Sequence, residues 1–411
     1  MKAEILSIGS EVALGYIADT NAAWMSQRLT ELGYEVIRHT AVGDNREEML
    51  RALESSRGRC AAVLVTGGLG PTLDDMTRFV LADFAGVKLE ENAQARETLA
   101  AFFQRIGRPM TSSNLTQTLL PQGSEMIPNP RGTAAGFALS VGGTEYIAMP
   151  GVPSEMKAMW EAWVGPRLRS RNASATAVRI LRVFGIGESM LGEKIADLMA
   201  RGANPDVGTQ VDNSVISVRA VARAASRQEA ERMVKDVSDE IRRRLGDMVF
   251  GEGEDRLEDA VLRLLEQKGQ TLAVAESCTG GLIASRLTDV PGASRFFLEG
   301  AVTYSNESKT ARLGVPADLI RQHGAVSAPV AEAMARGMRA SSGAALALAS
   351  TGIAGPTGAT PQKPIGLVYA ALAHDGGVQV EELRLHGTRE AIKDRASKHV
   401  LNMARLHLLG G

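Results

Sequence analysis

The stretch Ala61-Ala62-Val63-Leu64-Val65-Thr66-Gly67-Gly68 carries no charge and runs from an apolar segment into two glycines. Its continuous apolarity predicts a strand buried on both faces, because a strand with one wet face alternates apolar and polar residues. Upstream, Ala3 to Ile8 reads as a second buried strand. Asp19-Thr20 then offers an N-cap to an amphipathic helix that stops near Gly33. Tyr34 to Val42 reads as a strand and Asn45 to Ser56 as a helix. Strands that alternate with helices predict a parallel sheet covered on both faces, so residues 1–168 form an α/β domain. Such sheets bind ligands at the carboxyl ends of their strands, and there the sequence places glycines and acids.

The texture changes after residue 168. Asn172-Ala173-Ser174-Ala175 reads as a linker, followed by a strand (Val178 to Phe184), a helix (Ser189 to Met199), a hairpin turning at Asp212-Asn213-Ser214, and a charged helix (Ser226 to Leu245). Residues 172–250 therefore read as a small α+β module, closed by a second linker, Gly251-Glu252-Gly253-Glu254-Asp255. From 255 to 411 strands and helices alternate again. Thr271 to Ala275, Gly300 to Ser305 and Ala344 to Ser350 read as strands, Pro329 to Ser341 as a helix. Leu367 to His374 and Val378 to Leu385 read as an antiparallel pair, and a long final helix starts near Arg389.

Of the 411 residues, 44% are hydrophobic and 23% charged, which suits a globular chain with a core in each domain. The formal net charge of -1 supplies no global field for nucleic acid or a membrane surface, so any anion site must be local. Two cysteines, Cys60 and Cys278, cannot build a disulfide framework, and a reducing, cytoplasmic setting is expected. Met1-Lys2-Ala3-Glu4-Ile5-Leu6 has an acid inside a short apolar run, so no signal peptide is expected. No apolar run approaches the ~20 residues that span a bilayer.

Three loops carry the chemistry of the C-terminal domain. The loop Glu276-Ser277-Cys278-Thr279-Gly280-Gly281 joins a strand to a helix, and its glycines let backbone amides approach a ligand. A serine there can attack a carbonyl if a base is at hand, and Lys309 follows the next strand end, where Tyr304 stands. A desolvated lysine is neutral and can act as that base. The third loop, Gly352 to Gly358, suits phosphate or ribose. Taken singly, each has a plain reading: a capped connection, a solvated surface lysine, a glycine-rich turn. Cys278 alone reads as a small buried hydrophobe. In the N-terminal domain, Thr66-Gly67-Gly68-Leu69-Gly70-Pro71-Thr72-Leu73-Asp74-Asp75-Met76-Thr77 lies between a strand and a helix, as a phosphate loop would. Its paired acids repel phosphate unless a hard cation bridges them, and Asp44 could join them. The alternative is that Asp74-Asp75 only favours the helix start through the dipole.

The strings Ala275-Glu276-Ser277-Cys278-Thr279-Gly280-Gly281, Val302-Thr303-Tyr304-Ser305-Asn306-Glu307-Ser308-Lys309, His323-Gly324-Ala325-Val326-Ser327 and Thr351-Gly352-Ile353-Ala354-Gly355-Pro356 closely resemble the C-terminal domain of the CinA family, in order and at family spacing. Gly9-Ser10-Glu11, Gly15, Asp19-Thr20-Asn21, Gly67 to Thr72, Asn129 to Ala134 and Pro150 to Glu155 resemble the family's molybdopterin-binding-like N-terminal domain. Residues 172–250 resemble its KH-like insert, although Gly185-Ile186-Gly187-Glu188 lacks the Gly-x-x-Gly spacing of RNA-binding KH domains. That module is expected to be a spacer or dimerisation arm that binds no nucleic acid. The resemblance implies two activities: deamidation of nicotinamide mononucleotide in the C-terminal domain, and divalent-metal-dependent hydrolysis of ADP-ribose in the N-terminal one. It implies Ser277 as nucleophile, Lys309 as base and Tyr304 as a positioning or relay group, with no cofactor at that site. Substrate would meet Thr279, Gly280, Gly281, Asn306, Thr351, Gly352, Ile353 and Gly355, with Arg395 on its phosphate. In the N-terminal domain it implies a nucleotide on Gly67, Gly68, Gly70, Pro71, Thr72, Asn21, Gly132, Thr133 and Glu155, and a divalent metal at Asp44, Asp74 and Asp75. Ser10 stands where many relatives carry aspartate, which weakens a metal role for that loop. A homodimer is expected from the family. The rival readings are a competence or DNA-damage accessory protein that acts through protein contacts, and a molybdopterin-handling protein.

Overall fold

A computed structural model of the chain describes residues 1–171 and 175–410. The first linker, Asn172 to Ala175, lies outside the described residues except for Ala175, which begins a strand. Two compact units divide the chain, one of residues 1–178 with 221–234 and one of residues 179–220 with 235–411.

The first unit holds strands β1 (Lys2–Ile8), β2 (Glu35–Val42), β3 (Ala62–Thr66), β4 (Leu89–Glu91), β5 (Leu119–Pro121), β6 (Glu125–Ile127), β7 (Gly136–Val141) and β8 (Thr144–Met149). Six of them form one sheet in the order β2-β1-β3-β8-β7-β6. The pairs among β2, β1, β3 and β8 are parallel, as the apolar runs predicted, and β7 and β6 close the sheet antiparallel. Alternation explains the two covered faces. Ala3 and Ile5 of β1 and Ala62 and Leu64 of β3 pack on the helices Thr20–Glu31 and Pro153–Met159. Leu6, Ile8, Val63 and Val65 turn the other way, onto Arg46–Ser56 and Thr77–Ala85. Asp19 caps its helix by accepting from the amide of Ala22 at 2.9 Å, and Asn45 caps the next.

Strands β9 (Ala175–Val183), β10 (Asp206–Asp212), β11 (Val215–Ala224) and β12 (Val249–Glu252) form a sheet in the order β10-β11-β9-β12. The predicted hairpin turns at Asn213 and Ser214, both at positive φ (45° and 69°), as a two-residue turn matched to strand twist requires. The second predicted linker is corrected at its start. Gly251 and Glu252 are the end of β12, paired with Arg182 and Leu181 of β9. The reason is the apolar residue before them: Phe250 is buried in one cluster with Phe184, Val215 and the C-terminal residues Leu257, Val261 and Leu401.

The remaining strands are β13 (Leu272–Glu276), β14 (Phe297–Val302), β15 (Leu346–Gly352), β16 (Leu367–His374) and β17 (Gly377–Arg384), in the order β14-β13-β15-β16-β17. Strands β14, β13 and β15 are parallel, and the predicted antiparallel pair β16–β17 joins their edge. Leu272, Val274, Leu346, Leu348 and Leu372 face a cluster with the helices Leu257–Lys268 and Arg389–Gly410. Ala273, Ala275, Ala347, Ala349 and Ala371 face the helix Ala328–Ser342, whose Met334 and Met338 fill the space these alanines leave. Because β13 lies between β14 and β15, the loops that leave all three strands stand side by side.

Candidate active site

Glu276, the last residue of β13, is 1% exposed and fixes the turn after it. Its carboxylate accepts from the amides of Gly281 (2.9 Å), Ile283 (3.2 Å) and Ala284 (2.8 Å). The first turn of the helix Leu282–Thr288 is thus capped from within, by an anion at its positive end. Gly280 (φ 63°) and Gly281 (φ 92°) supply the left-handed backbone that folds the loop back onto the carboxylate. Ser277 is held between neighbours: its amide donates to the carbonyl of Ser350 on β15 at 3.0 Å. From β14, the amide of Thr303 donates to the carbonyl of Glu276 at 2.8 Å.

Lys309 arrives from the helix Asn306–Leu313, which Ser305 caps by accepting from Ser308 at 3.1 Å. The ammonium-bearing chain is 1% exposed; Nζ stands 3.0 Å from Ser277 Oγ and donates to the carbonyl of Thr303 at 2.8 Å. Among the described residues no carboxylate is bonded to it, and burial pushes its pKa below the ordinary lysine value. Cys278 is a different case. It is buried, and its thiol is pushed up to about 12 by that burial, so it is a thiol and not a thiolate at neutral pH.

The other predicted residues divide. Tyr304 is exposed, and its hydroxyl accepts from Arg389 Nη2 at 2.9 Å; Arg389 Nη1 donates to the carbonyl of Gly355 at 2.6 Å. Asn306, exposed, opens the lysine-bearing helix. Thr279 is fully buried and its hydroxyl bonds Ser350 Oγ at 2.7 Å, so its side chain serves the core and only its backbone faces the loop. Thr351 likewise donates to the carbonyl of Ala325, and the amide of Ile353 donates to Leu367. Gly352 is a glycine for packing, since a Cβ there would meet Val368 Cγ2 at 2.6 Å. Arg395 donates to the carbonyl of His386 at 2.7 Å, while Arg389, on another turn of the same helix, donates to the carbonyl of Gly355. A methyl group on Gly280 would lie 3.5 Å from Lys393 Nζ. Helix periodicity was the available signal for Arg389 and Lys393, four residues apart at the start of the last helix. Glu276 was legible only as part of the quoted string.

In the N-terminal unit the loops after β1, β2, β3 and β8 enclose a cavity of about 540 Å³. Gly67, Gly68, Gly70, Pro71, Thr133 and Glu155 line it, with Asp44, Asp74 and Asp75. Glu11, quoted in the sequence only as part of a string, also lines it, as does Gln117, which the sequence did not single out. Asp44 accepts from the amide and hydroxyl of Ser10 at 2.9 and 2.8 Å, and Asp75 accepts from the amide of Thr72 at 2.9 Å and from its hydroxyl. The three acids share the cavity but are not gathered into a ligand set, and among the described residues no group of three or more His, Cys, Asp or Glu could hold an ion. Asn21 and Gly132 work behind the lining. Asn21 donates to the carbonyl of Gly151 at 2.8 Å and Gly132 to Asn129, which in turn donates to Glu155 at 2.6 Å. Arg78 was missed altogether: its guanidinium, 1% exposed, donates to the carbonyls of Leu69, Gly70 and Thr116 and braces the glycine loop from beneath. Burial pulls its pKa down to about 10.

The fold and these sites define an α/β chain with ligand-scale loop clusters at two sets of strand ends, one of which carries a serine against a buried lysine. Family models match in the same order: "Probable molybdopterin binding domain" over residues 4–170, "Damage-inducible protein CinA KH domain" over 178–251, and "CinA C-terminal domain" over 254–408. The CinA-like proteins of Dictyoglomus thermophilum and Dictyoglomus turgidum are each 44% identical over 409 residues, covering 100% of both chains. A solved structure of the competence/damage inducible protein CihA from Agrobacterium tumefaciens is 38% identical, covering 37% of this chain and 93% of that one, with a TM-score of 0.36. The chain belongs to the CinA family. Among the described residues no helix is long and apolar enough to cross a membrane.

Proposed function

We propose that the C-terminal site is a serine–lysine amidohydrolase that deamidates nicotinamide mononucleotide to nicotinic acid mononucleotide and ammonia. The observation that carries this reading is Lys309 Nζ, buried, bonded to no carboxylate among the described residues and 3.0 Å from Ser277 Oγ. A lysine held neutral can take the serine proton; one held charged cannot. The Ser277 Oγ lone pair forms a bond to the carboxamide carbon while its proton passes to Lys309, and the carbonyl π pair becomes an oxyanion. As the oxyanion collapses, the C–N bond breaks, and the departing nitrogen takes the proton from Lys309 and leaves as ammonia. Water repeats the sequence on the acyl ester, with Lys309 again as base, and restores Ser277. Arg389, with Tyr304 held beside it, joins Arg395 as a candidate for the substrate phosphate. The nucleotide substrate itself rests on the family resemblance.

We propose that the N-terminal cavity hydrolyses the pyrophosphate of ADP-ribose with a divalent cation. A magnesium-type ion needs only one or two protein carboxylates when substrate phosphates complete its shell. Asp74 and Asp75, on the loop that would hold the phosphates, fit that count, with Asp44 across the cavity. Such an ion supplies charge neutralisation on the pyrophosphate; Gly67, Gly68 and Gly70 let backbone approach it. We further propose a cytoplasmic homodimer.

The test is ammonia release from nicotinamide mononucleotide by the purified chain. Ser277→Ala should lower the rate by about 10⁴ or more, and Cys278→Ala by less than about tenfold. An active Ser277→Ala beside a dead Cys278→Ala would reverse the assignment.

A further inference from the structure

A spacer would touch the C-terminal domain only through its linker. Residues 179–220 of the KH-like module instead share one compact unit with the last helix, Arg389–Gly410, and bond to it directly. Lys398 Nζ donates to the carbonyl of Asn213, at the hairpin turn, at 2.8 Å. Arg405, buried, donates to the carbonyl of Asp247. Lys398 and Arg405 stand seven residues apart and so share a helix face. Beside them the rings of Phe184 and His399 meet edge to face at 5.0 Å, and Phe184 and Val215 are buried in one cluster with Leu401.

The contact at Asn213 continues inward. Lys398 Nζ also donates to Asp394 Oδ2, one turn back, at 2.9 Å. Asp394 accepts in turn from Arg286 Nη2, and Arg286 Nε donates to Ser397 Oγ at 3.0 Å. Arg286 belongs to the helix Leu282–Thr288, whose amides at Ile283 and Ala284 hold the carboxylate of Glu276, the residue before Ser277. The side chains of Lys398, Asp394 and Arg286 are between 12% and 21% exposed, so solvent screens these charges weakly. We infer that the hairpin turn of the KH-like module braces the nucleophile, with Lys398 as the positioning residue. Its ammonium is fixed by the Asn213 carbonyl and, through Asp394 and Arg286, fixes the helix that caps the Ser277 loop. The catalytic part of this inference rests on the deamidase reading.

Lys398→Met keeps the side-chain length and removes the charge. In the full-length chain it should lower kcat for ammonia release from nicotinamide mononucleotide by about 2- to 30-fold, with KM little changed. Amide hydrogen exchange at residues 283–288 should quicken, because the helix has lost its brace. Asp394→Asn, read in the same two ways, is an independent second variant. The double variant should cost little more than Asp394→Asn alone, since both changes break one chain of contacts. A Lys398→Met chain with a lower melting temperature but unchanged kcat and unchanged exchange at 283–288 would overturn the inference, for Lys398 would then only hold the module in place. Fully additive losses in the double variant would overturn it too. A wild type that releases no ammonia would remove the deamidase reading, whereas quickened exchange at 283–288 in Lys398→Met would still support the brace.

Discussion

Lys309 shows what burial does to one residue. A protonated amine taken out of water without a counter-ion is disfavoured, so its pKa in the folded chain falls below 10.5, the ordinary lysine value. The sign for catalysis follows. In the proposed reaction the neutral amine is the base, so deamidation should rise as pH climbs through the depressed pKa and level off before the ordinary value is reached. The sign for stability is the same. The unfolded chain binds this proton more tightly, so the stability contribution is fully present above the unfolded value and is lost as pH falls through the folded one. Measuring kcat against pH checks the first statement, and a profile that falls over that limb would contradict a lysine base. Lys309→Arg should remain inactive across the whole range, because a guanidinium does not give up its proton.

At the scale of elements, the glycine loop after β3 offers the sharpest expectation. Gly67 sits at φ 101°, and a Cβ there would lie 2.0 Å from the carbonyl oxygen of Ile8 on β1. Backbone cannot swing aside as a side-chain tip can, so Gly67→Ala should destabilise by about 1–3 kcal/mol and displace the loop. Lower denaturant resistance together with lost ADP-ribose cleavage is the expected result; a variant that keeps both would mean the loop adapts freely. The elements themselves were readable because buried parallel strands are largely apolar on both faces, as β3 shows from Ala62 to Val65, β13 from Leu272 to Ala275 and β15 from Leu346 to Ala349, with Glu4 and Ser7 the polar exceptions inside β1. The site was readable to the level of loops, since strand order brings the ends of β14, β13 and β15 together. Orientation within a loop was not readable. Thr279 and Thr351 lie in motif strings yet turn inward onto Ser350 and Ala325, and a sequence pattern carries no information on which way a turn residue points. The last helix shows the same limit: Arg389 and Arg395 differ by six residues, and only the packed helix tells that Arg389 bonds the carbonyl of Gly355 and Arg395 that of His386. Arg78 was invisible for another reason, since its acceptors are carbonyls contributed by Leu69, Gly70 and Thr116 rather than acids that a pattern could pair with it.

At the scale of the whole molecule, each proposed site is built from one compact unit. The residues that hold Ser277 and Lys309 come from the strand ends at 276, 302 and 352 and from the last helix, all within residues 235–411. The cavity with Asp44, Asp74 and Asp75 draws only on residues 8–155. Neither set borrows a side chain from the other unit, so the two reactions should separate cleanly in the intact chain. The serine–lysine chemistry has no step that calls for a cation, whereas pyrophosphate in a cavity lined by Glu11, Asp44, Asp74, Asp75 and Glu155 does, because like charges repel unless a cation is shared between them. Chelator should therefore stop ADP-ribose cleavage and leave ammonia release unchanged, and Ser277→Ala should do the reverse. Asp75→Ala is the matching variant, with one complication: Asp75 also accepts from Thr72, so its loss loosens the loop as well as the charge. Chelation escapes that ambiguity, and titrating a divalent cation back should restore the lost activity in full. The two rates are to be measured on one preparation, with nicotinamide mononucleotide and with ADP-ribose. Parallel loss of both under chelation, or slowed ADP-ribose cleavage in Ser277→Ala, would show that the two sites are not independent.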